Sequence, residues 1–253
     1  MSQSSQNWIW GWHSVLACAE EFPELILEIQ AEQDSRAELE KKFSKLNLKV
    51  KWVTTLPKLL ADKRTQGVAA LLKMFPFRFF QDFQDEFLEK LSKGGTQWAL
   101  LDRIEDPRNF GAILRSAAAF GVSGVFVGQR NQAALSGVVA QASAGNLFRV
   151  PVIICNNLNR VFEVTKNLET PPNFAALDVD GLDLSQVIAK TGASESRVWV
   201  LGSEGRGLRD GLFDRCHERI KIPMCEGVES LNVSVAGAIA FYASRQNQIL
   251  RKW

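Results

Sequence analysis

Two histidines and four cysteines are all the imidazole and thiol that this 253-residue chain contains, and that scarcity closes off several chemistries. Cys18, Cys155, Cys216 and Cys225 stand far apart with no C-x-x-C pair, which indicates neither a zinc site nor a disulfide framework; they read as reduced thiols. A Ser-His-Asp or Cys-His hydrolase would have to use His13 or His217, and neither lies in a nucleophile context such as G-x-S-x-G. Both read as surface or packing residues. No segment reaches the roughly 18 apolar residues of a membrane span. The opening Met1-Ser-Gln-Ser-Ser-Gln-Asn-Trp8 lacks the basic flank and apolar run of a signal peptide, so the expected location is cytoplasmic, with no membrane partner and no metal. Strong basicity is missing as well. A formal net charge of +2 is compatible with a nucleic-acid partner without arguing for one.

What is present is an ordinary globular composition, 46% hydrophobic and 23% charged, enough for a substantial core. Residues 8 to about 73 switch between periods. A helical stretch at His13 to Glu20 precedes the apolar Glu24 to Ile29, a charged helix near Asp34 to Leu46, and strand-like runs at Leu48 to Val53 and Gly67 to Leu72. A densely aromatic run, Met74-Phe-Pro-Phe-Arg-Phe-Phe80, follows, then a polar helix and the pair Gly94-Gly95. The expected division is a small α/β domain over 1–75, a linker over 76–95 and a second domain over 96–253.

From Trp98 onward short apolar runs alternate with helices. Strands are expected at Trp98 to Leu101, Val122 to Val127, Val150 to Cys155, Phe174 to Leu177, Val198 to Leu201 and Arg219 to Ile222, and a long final helix from Leu231 to about Leu250. That alternation predicts a parallel sheet covered on both faces, with ligands at the carboxyl ends of the strands. The loop Gly202-Ser-Glu-Gly-Arg-Gly207 falls at such an end. Its G-x-x-G-x-G spacing is not the dinucleotide G-x-G-x-x-G, and Leu208 and Arg209 replace the Lys and hydroxyl of a phosphate-binding P-loop. Glycines there let a backbone approach a ligand closely, and Ser230-Leu-Asn-Val-Ser234 offers capping oxygens to the helix after it. A third stretch, Leu101 to Ala117, holds Asp106-Pro107, with Asn109 able to cap the next helix and Arg115 near its middle. Taken alone it reads as a cap plus a solvated arginine.

Together the three stretches resemble the SpoU, or TrmH-like, family of RNA 2'-O-ribose methyltransferases in the SPOUT superfamily. The first motif looks like Asp106-Pro-x-Asn109-x-Gly111-x-x-x-Arg115-Ser116, the second like Gly202-Ser-Glu204-Gly205-x-Gly207, and the third like Ile222-Pro223-Met224 with Ser230-Leu-Asn232-Val-Ser234. The resemblance covers 98–253 and extends more weakly forward. There Gly11-Trp-His-Ser-Val15 and Gln66-Gly67-Val68 look like the opening and closing elements of the small RNA-binding domain in members that modify large-subunit ribosomal RNA. It departs at Asn146 and Phe148, where the family more often has a small residue and a glutamate.

The resemblance implies an α/β fold with a deep C-terminal trefoil knot, S-adenosylmethionine as cofactor, a homodimer that completes the site, and RNA as substrate. The expected activity is methylation of a guanosine ribose in large-subunit rRNA, with transfer RNA as the alternative; a non-catalytic RNA-binding or ribosome-assembly factor and a nicotinamide-dependent dehydrogenase are competing readings. By the same resemblance Gly202, Ser203, Glu204, Gly205, Ile222, Met224, Ser230, Leu231 and Asn232 hold the cofactor. Arg115, Asn109, Glu204, Ser230 and Asn232 form the catalytic group. The family assigns Arg115 as general base; a guanidinium stays protonated in proteins, and a cationic Arg115 would instead bind phosphate and stabilise the emerging alkoxide. Glu204 is expected to reach the helix that carries Arg115. The run Phe75 to Phe80 is either a base-stacking surface or packing between domains or subunits.

Overall fold

The computed structural model describes residues 7–43, 49–192, 194–203, 205 and 207–250. Residues up to Leu72 build a four-stranded sheet. Strand β1 (Trp8–Trp10) leads into helix α1 (Trp12–Glu21), then β2 (Ile26–Glu32), α2 (Arg36–Phe43), β3 (Val50–Val53) and β4 (Val68–Leu72), with sheet order β1-β4-β2-β3. The Gly11 and Gly67 elements meet because β1 and β4 pair antiparallel, Trp10 opposite Ala69. Gly67 has φ +73°, and a Cβ there would lie 2.1 Å from the Ser35 hydroxyl oxygen, so both conformation and space call for glycine.

The second sheet has seven strands, all parallel. In chain order its elements are β5 (Arg78–Phe79), α3 (Phe80–Ser92), β6 (Gln97–Leu101), α4 (Pro107–Ala119), β7 (Val125–Gly128), α5 (Gly137–Ala142), β8 (Val152–Cys155), α6 (Asn159–Thr165), β9 (Asn173–Asp183), α7 (Leu184–Lys190), β10 (Arg197–Leu201), α8 (Asp210–Phe213), β11 (Glu218–Lys221) and α9 (Val233–Leu250). The spatial order is β11-β9-β10-β6-β7-β8-β5. Five buried residues in each of β6 and β10 fit a sheet covered on both faces.

The segment 76–95, expected to be a linker, belongs to this sheet. Strand β5 extends it beside β8, Arg78 opposite Ile153, and α3 buries Phe80, Phe83, Phe87 and Leu91 on one stripe. These rings meet Trp98 and Phe126, with Phe87 4.8 Å from the Trp98 ring centre and 4.9 Å from that of Phe126. Each buried ring contributes about 1.5–3 kcal/mol through lost apolar exposure, which fixes the segment in place. The aromatic run therefore divides: Phe75 and Phe80 are buried, while Phe77 and Phe79 sit edge-to-face nearer the surface.

The two sheets share a hydrophobic core that joins Ile9, Val15 and Cys18 to Leu101, Phe110 and Val139. Close packing at glycines sets the approach. A Cβ at Gly137 would fall 2.2 Å from the Trp10 ring, and one at Gly145 would fall 2.5 Å from the carbonyl oxygen of His13. Asn146 and Phe148 are structural here: Phe148 is buried, and the Asn146 amide donates to the Ser143 carbonyl. Both histidines pack as expected, His13 stacked on Trp12 and His217 Nδ1 accepting the Phe174 N–H at 3.0 Å. Among the described residues no helix is long and apolar enough to cross a membrane, and no three potential metal ligands cluster.

Candidate functional site

Strands β9, β10 and β11 end side by side, and the loops that leave them enclose a cavity of about 370 Å³. Apolar side chains from all three line it, among them Leu177, Leu201, Ile222 and Met224, with Phe213 and Leu231 closing the sides. Gly202, Ser203, Gly205, Ile222, Met224, Ser230 and Leu231, all expected to hold the cofactor, lie on its wall. Glu204 falls outside the described residues. Asn232, the remaining member of that group, does not line this cavity.

The glycine loop folds back on itself. Ser203 N–H donates to the Gly207 carbonyl at 3.1 Å and Gly207 N–H returns a bond to Ser203 at 2.9 Å. Gly202 faces this closure: a Cβ there would stand 2.3 Å from the Gly207 carbonyl carbon. Its glycine is thus demanded by the loop's own backbone, not by a ligand's approach. Gly205 and Gly207 have open space but φ of +79° and +63°, which disfavours a side chain for conformational reasons.

Where the loop ends, Arg209 is held to the tip of β6. The Asp102 carboxylate is fully buried and accepts Arg209 Nε at 2.9 Å and the Arg209 backbone N–H at 3.1 Å, with Arg209 Nη2 in ion-pair contact at 2.7 Å. Arg103, with φ +60°, also points at Asp102, 3.4 Å from Nε to Oδ2, and reaches the Gly207 carbonyl through Nη2. Neither Asp102 nor Arg209 belongs to the three sequence motifs. The available signal was an ionisable residue directly after a buried strand, which calls for a partner.

Asp106, not Asn109, caps α4: its Oδ1 accepts the Arg108 N–H at 2.7 Å, and Pro107 occupies the first helical position, where the missing N–H costs nothing. Asn109 is thereby placed one turn in, and its Oδ1 accepts from Asn232 Nδ2 at 3.1 Å. Asn232 in turn caps α9, its Oδ1 accepting the Ser234 N–H at 2.9 Å while its carbonyl receives Val235 and Ala236. One side chain thus terminates α9 and ties it to α4. A second cavity of about 350 Å³, lined by Arg103, Ile104, Asp106 and Asn109, shares Ser203 and Val233 with the first. Arg115 is exposed on α4, two turns beyond Asn109. Gly111 lets α4 approach α5, since a Cβ there would sit 2.5 Å from the Ala142 methyl.

Cys155 and Cys216 have thiols pushed up to about 12, chiefly by burial, and so has Cys18, where Glu24 adds to the rise; all three stay neutral and unreactive. The site therefore offers an apolar slot with loop backbone on its wall beside the Asn109–Asn232 amide pair, and Arg115 lines neither of the two cavities. Among the described residues of its walls no side-chain pair resembles a nucleophile and base.

Known proteins resemble this chain in sequence and in fold. The model of the SpoU rRNA methylase family matches residues 98–242, the span that carries all three motifs. A Staphylococcus epidermidis protein assigned to the TrmH family of tRNA/rRNA methyltransferases is 39% identical over 201 residues, covering 75% of each chain. In fold, the SpoU methyltransferase AviRb of Streptomyces viridochromogenes superposes with a TM-score of 0.77 at 20% identity, covering 98% of this chain and 92% of its own. An AdoMet-bound rRNA methyltransferase of Sinorhizobium meliloti gives 0.73 at 20% identity, over 96% and 88% of the two chains. With the family model spanning strands β6 to β11 of the seven-stranded sheet and the sequence kinship extending over three quarters of the chain, this protein belongs to the SpoU, or TrmH-like, family of RNA methylases.

Proposed function

We propose that the protein transfers a methyl group from S-adenosylmethionine to a ribose 2'-hydroxyl of large-subunit ribosomal RNA, with guanosine as the target nucleotide. The observation that carries this is spatial: the cofactor-type cavity and the Asn109 cavity share Ser203 and Val233, so a donor in one stands beside an acceptor in the other. The cavity suits the cofactor. Its apolar walls fit a flat adenine, Gly202 and Gly205 bring backbone without a side chain to its wall, and its volume lies in the range of small-molecule sites, about 300–1,000 Å³.

When bound, S-adenosylmethionine supplies an electrophilic methyl on a sulfonium centre. Gly202, Ser203, Gly205, Ile222, Met224, Ser230 and Leu231 would hold it, with Glu204 added from the motif. Asn109 and Asn232 position the ribose, and Arg115 binds the neighbouring phosphate and stabilises the oxygen as its proton passes to water. Holding the two reactants in line can supply about 7–11 kcal/mol of the barrier, so alignment is the main task of these residues. The proposal also takes from the family a C-terminal segment threaded as a deep trefoil knot, a homodimer that completes the site, an RNA-binding role for residues 1–75 and action in the cytoplasm. Choosing ribosomal over transfer RNA rests on that N-terminal unit, which the shared core joins to the methylase sheet.

Labelled S-adenosylmethionine incubated with ribosomal RNA from cells lacking this protein tests the proposal. Transfer by the wild type and none by a folded Arg115→Ala variant is expected. Labelling of transfer RNA alone would overturn the substrate, and cofactor binding without any transfer would favour a non-catalytic RNA-binding role.

A further inference from the structure

Three cavities line up along the carboxyl edge of the seven-stranded sheet. The first is the cofactor-type cavity at β9, β10 and β11; the second lies at β6 and the start of α4; the third, about 330 Å³, opens where β7 and β8 end. The second and third are joined through the loop after β7. Gln132 Oε1 accepts the Ile104 N–H at 3.1 Å and the Ala133 N–H donates to the Ile104 carbonyl at 2.9 Å, so Ile104 of the second cavity is clamped to two residues lining the third. The consecutive residues Asn109 and Phe110 also line one cavity each.

The third cavity has no charged side chain in its wall. It presents the partly exposed ring of Phe77, backed by the buried rings of Phe75 and Phe110, with the amides of Asn7, Gln129 and Gln132. Exposed cations stand next to it in the chain: Lys73 precedes Met74, and Arg130 follows Gln129. An uncharged, flat guest that stacks on rings, exchanges hydrogen bonds with amides and carries a phosphate outward fits that distribution. We infer that this cavity is a nucleobase subsite, which takes one unstacked base of the RNA strand presented to Arg115. The subsite depends on the methyl transfer proposed above for its place in catalysis, but not for its chemistry. It also accounts for the position of the 74–79 segment, which β5 pins to the sheet edge beside β8.

The test titrates the 5'-monophosphates of guanosine, adenosine, cytidine and uridine into the full chain saturated with S-adenosylmethionine, read by NMR at backbone amides and phenylalanine rings. Shifts at Gly128, Gln129, Gln132 and the Phe77 ring are expected for at least one nucleotide. Phe77→Leu, which keeps an apolar side chain, should weaken that binding roughly 5- to 100-fold, the range found when a stacking ring is removed. Gln129→Ala, at an exposed position, should weaken it with no effect on folding. Cofactor affinity should stay unchanged in both. Shifts confined to residues 202–236, no shifts at all, or wild-type titration by both variants would overturn the subsite. If S-adenosylmethionine itself fails to bind, the methyltransfer proposal falls, and the same titration without cofactor still decides the subsite.

Discussion

Asp102 and Arg209, 107 residues apart in the chain, are joined at one buried carboxylate by two hydrogen bonds, from Arg209 Nε and the Arg209 backbone N–H, and by an ion-pair contact through Nη2. The pair locks the far end of the glycine loop to the turn that starts α4, so the cofactor wall and the Asn109 wall keep one spacing. Asp102→Asn should destabilise the fold by about 1–3 kcal/mol, less than a fully buried pair because the Arg209 side chain is half exposed. Urea unfolding checks the stability, and calorimetry should show cofactor affinity falling further than stability alone explains. Unchanged cofactor affinity would separate the pair from the loop.

Asn232 serves two partners, and two substitutions separate them. Asn232→Ala removes the cap of α9 and the donor to Asn109, and should cost about 1 kcal/mol for the cap. Asn232→Asp keeps a good capping acceptor but loses the N–H that Asn109 receives. Near-normal stability with a low rate of methyl transfer is the expected result for the aspartate variant; normal transfer would make Asn232 a cap only.

Two glycines of one loop should respond differently to alanine. At Gly202 the added Cβ meets backbone at 2.3 Å, which no side-chain rotation relieves, so the Ser203–Gly207 closure and cofactor binding should be lost together. At Gly205 the space is open and only the positive φ is strained, a cost of about 1 kcal/mol. Calorimetry with S-adenosylmethionine on the two variants distinguishes these outcomes.

Thiol accessibility gives a check that needs no substitution. Cys225 is exposed and follows Met224 of the cofactor cavity, whereas Cys18 and Cys155 are buried and, with Cys216, carry thiols raised to about 12. A disulfide reagent at neutral pH should modify one thiol quickly and the others only on unfolding. Saturating S-adenosylmethionine should slow the fast reaction.

Much of this arrangement is legible in the sequence because it is local. The buried strands β6 and β10 are recognisable by the apolar runs Trp98 to Leu101 and Val198 to Leu201, to which the structure adds Gln97 and Arg197, and Asn109, Ser203 and Ser230 are motif residues that lie on the walls of the two cavities at the strand ends. Elements set by distant contacts are less visible. Strand β5 has two residues and exists only because β8 offers an edge; α5 and α7, of six and seven residues, are too short for a helical period to declare itself. Asn109 looks like a cap from its residue type, but Asp106 before a proline starts the helix earlier. Strand β9 continues past the expected Leu177 to Asp183 because β11 pairs along it with a register shift, and Gly181 permits the contact. Asp102 and Arg209 carry no motif, and their relationship appears only in three dimensions.

The most direct test digests ribosomal RNA to nucleosides after incubation with wild-type protein and S-adenosylmethionine, and identifies the methylated product by mass spectrometry. A 2'-O-methylated nucleoside, with guanosine expected, formed by wild type and absent with Arg115→Ala is the predicted result. A methyl group on a base, or equal product from the Arg115→Ala variant, would contradict the account.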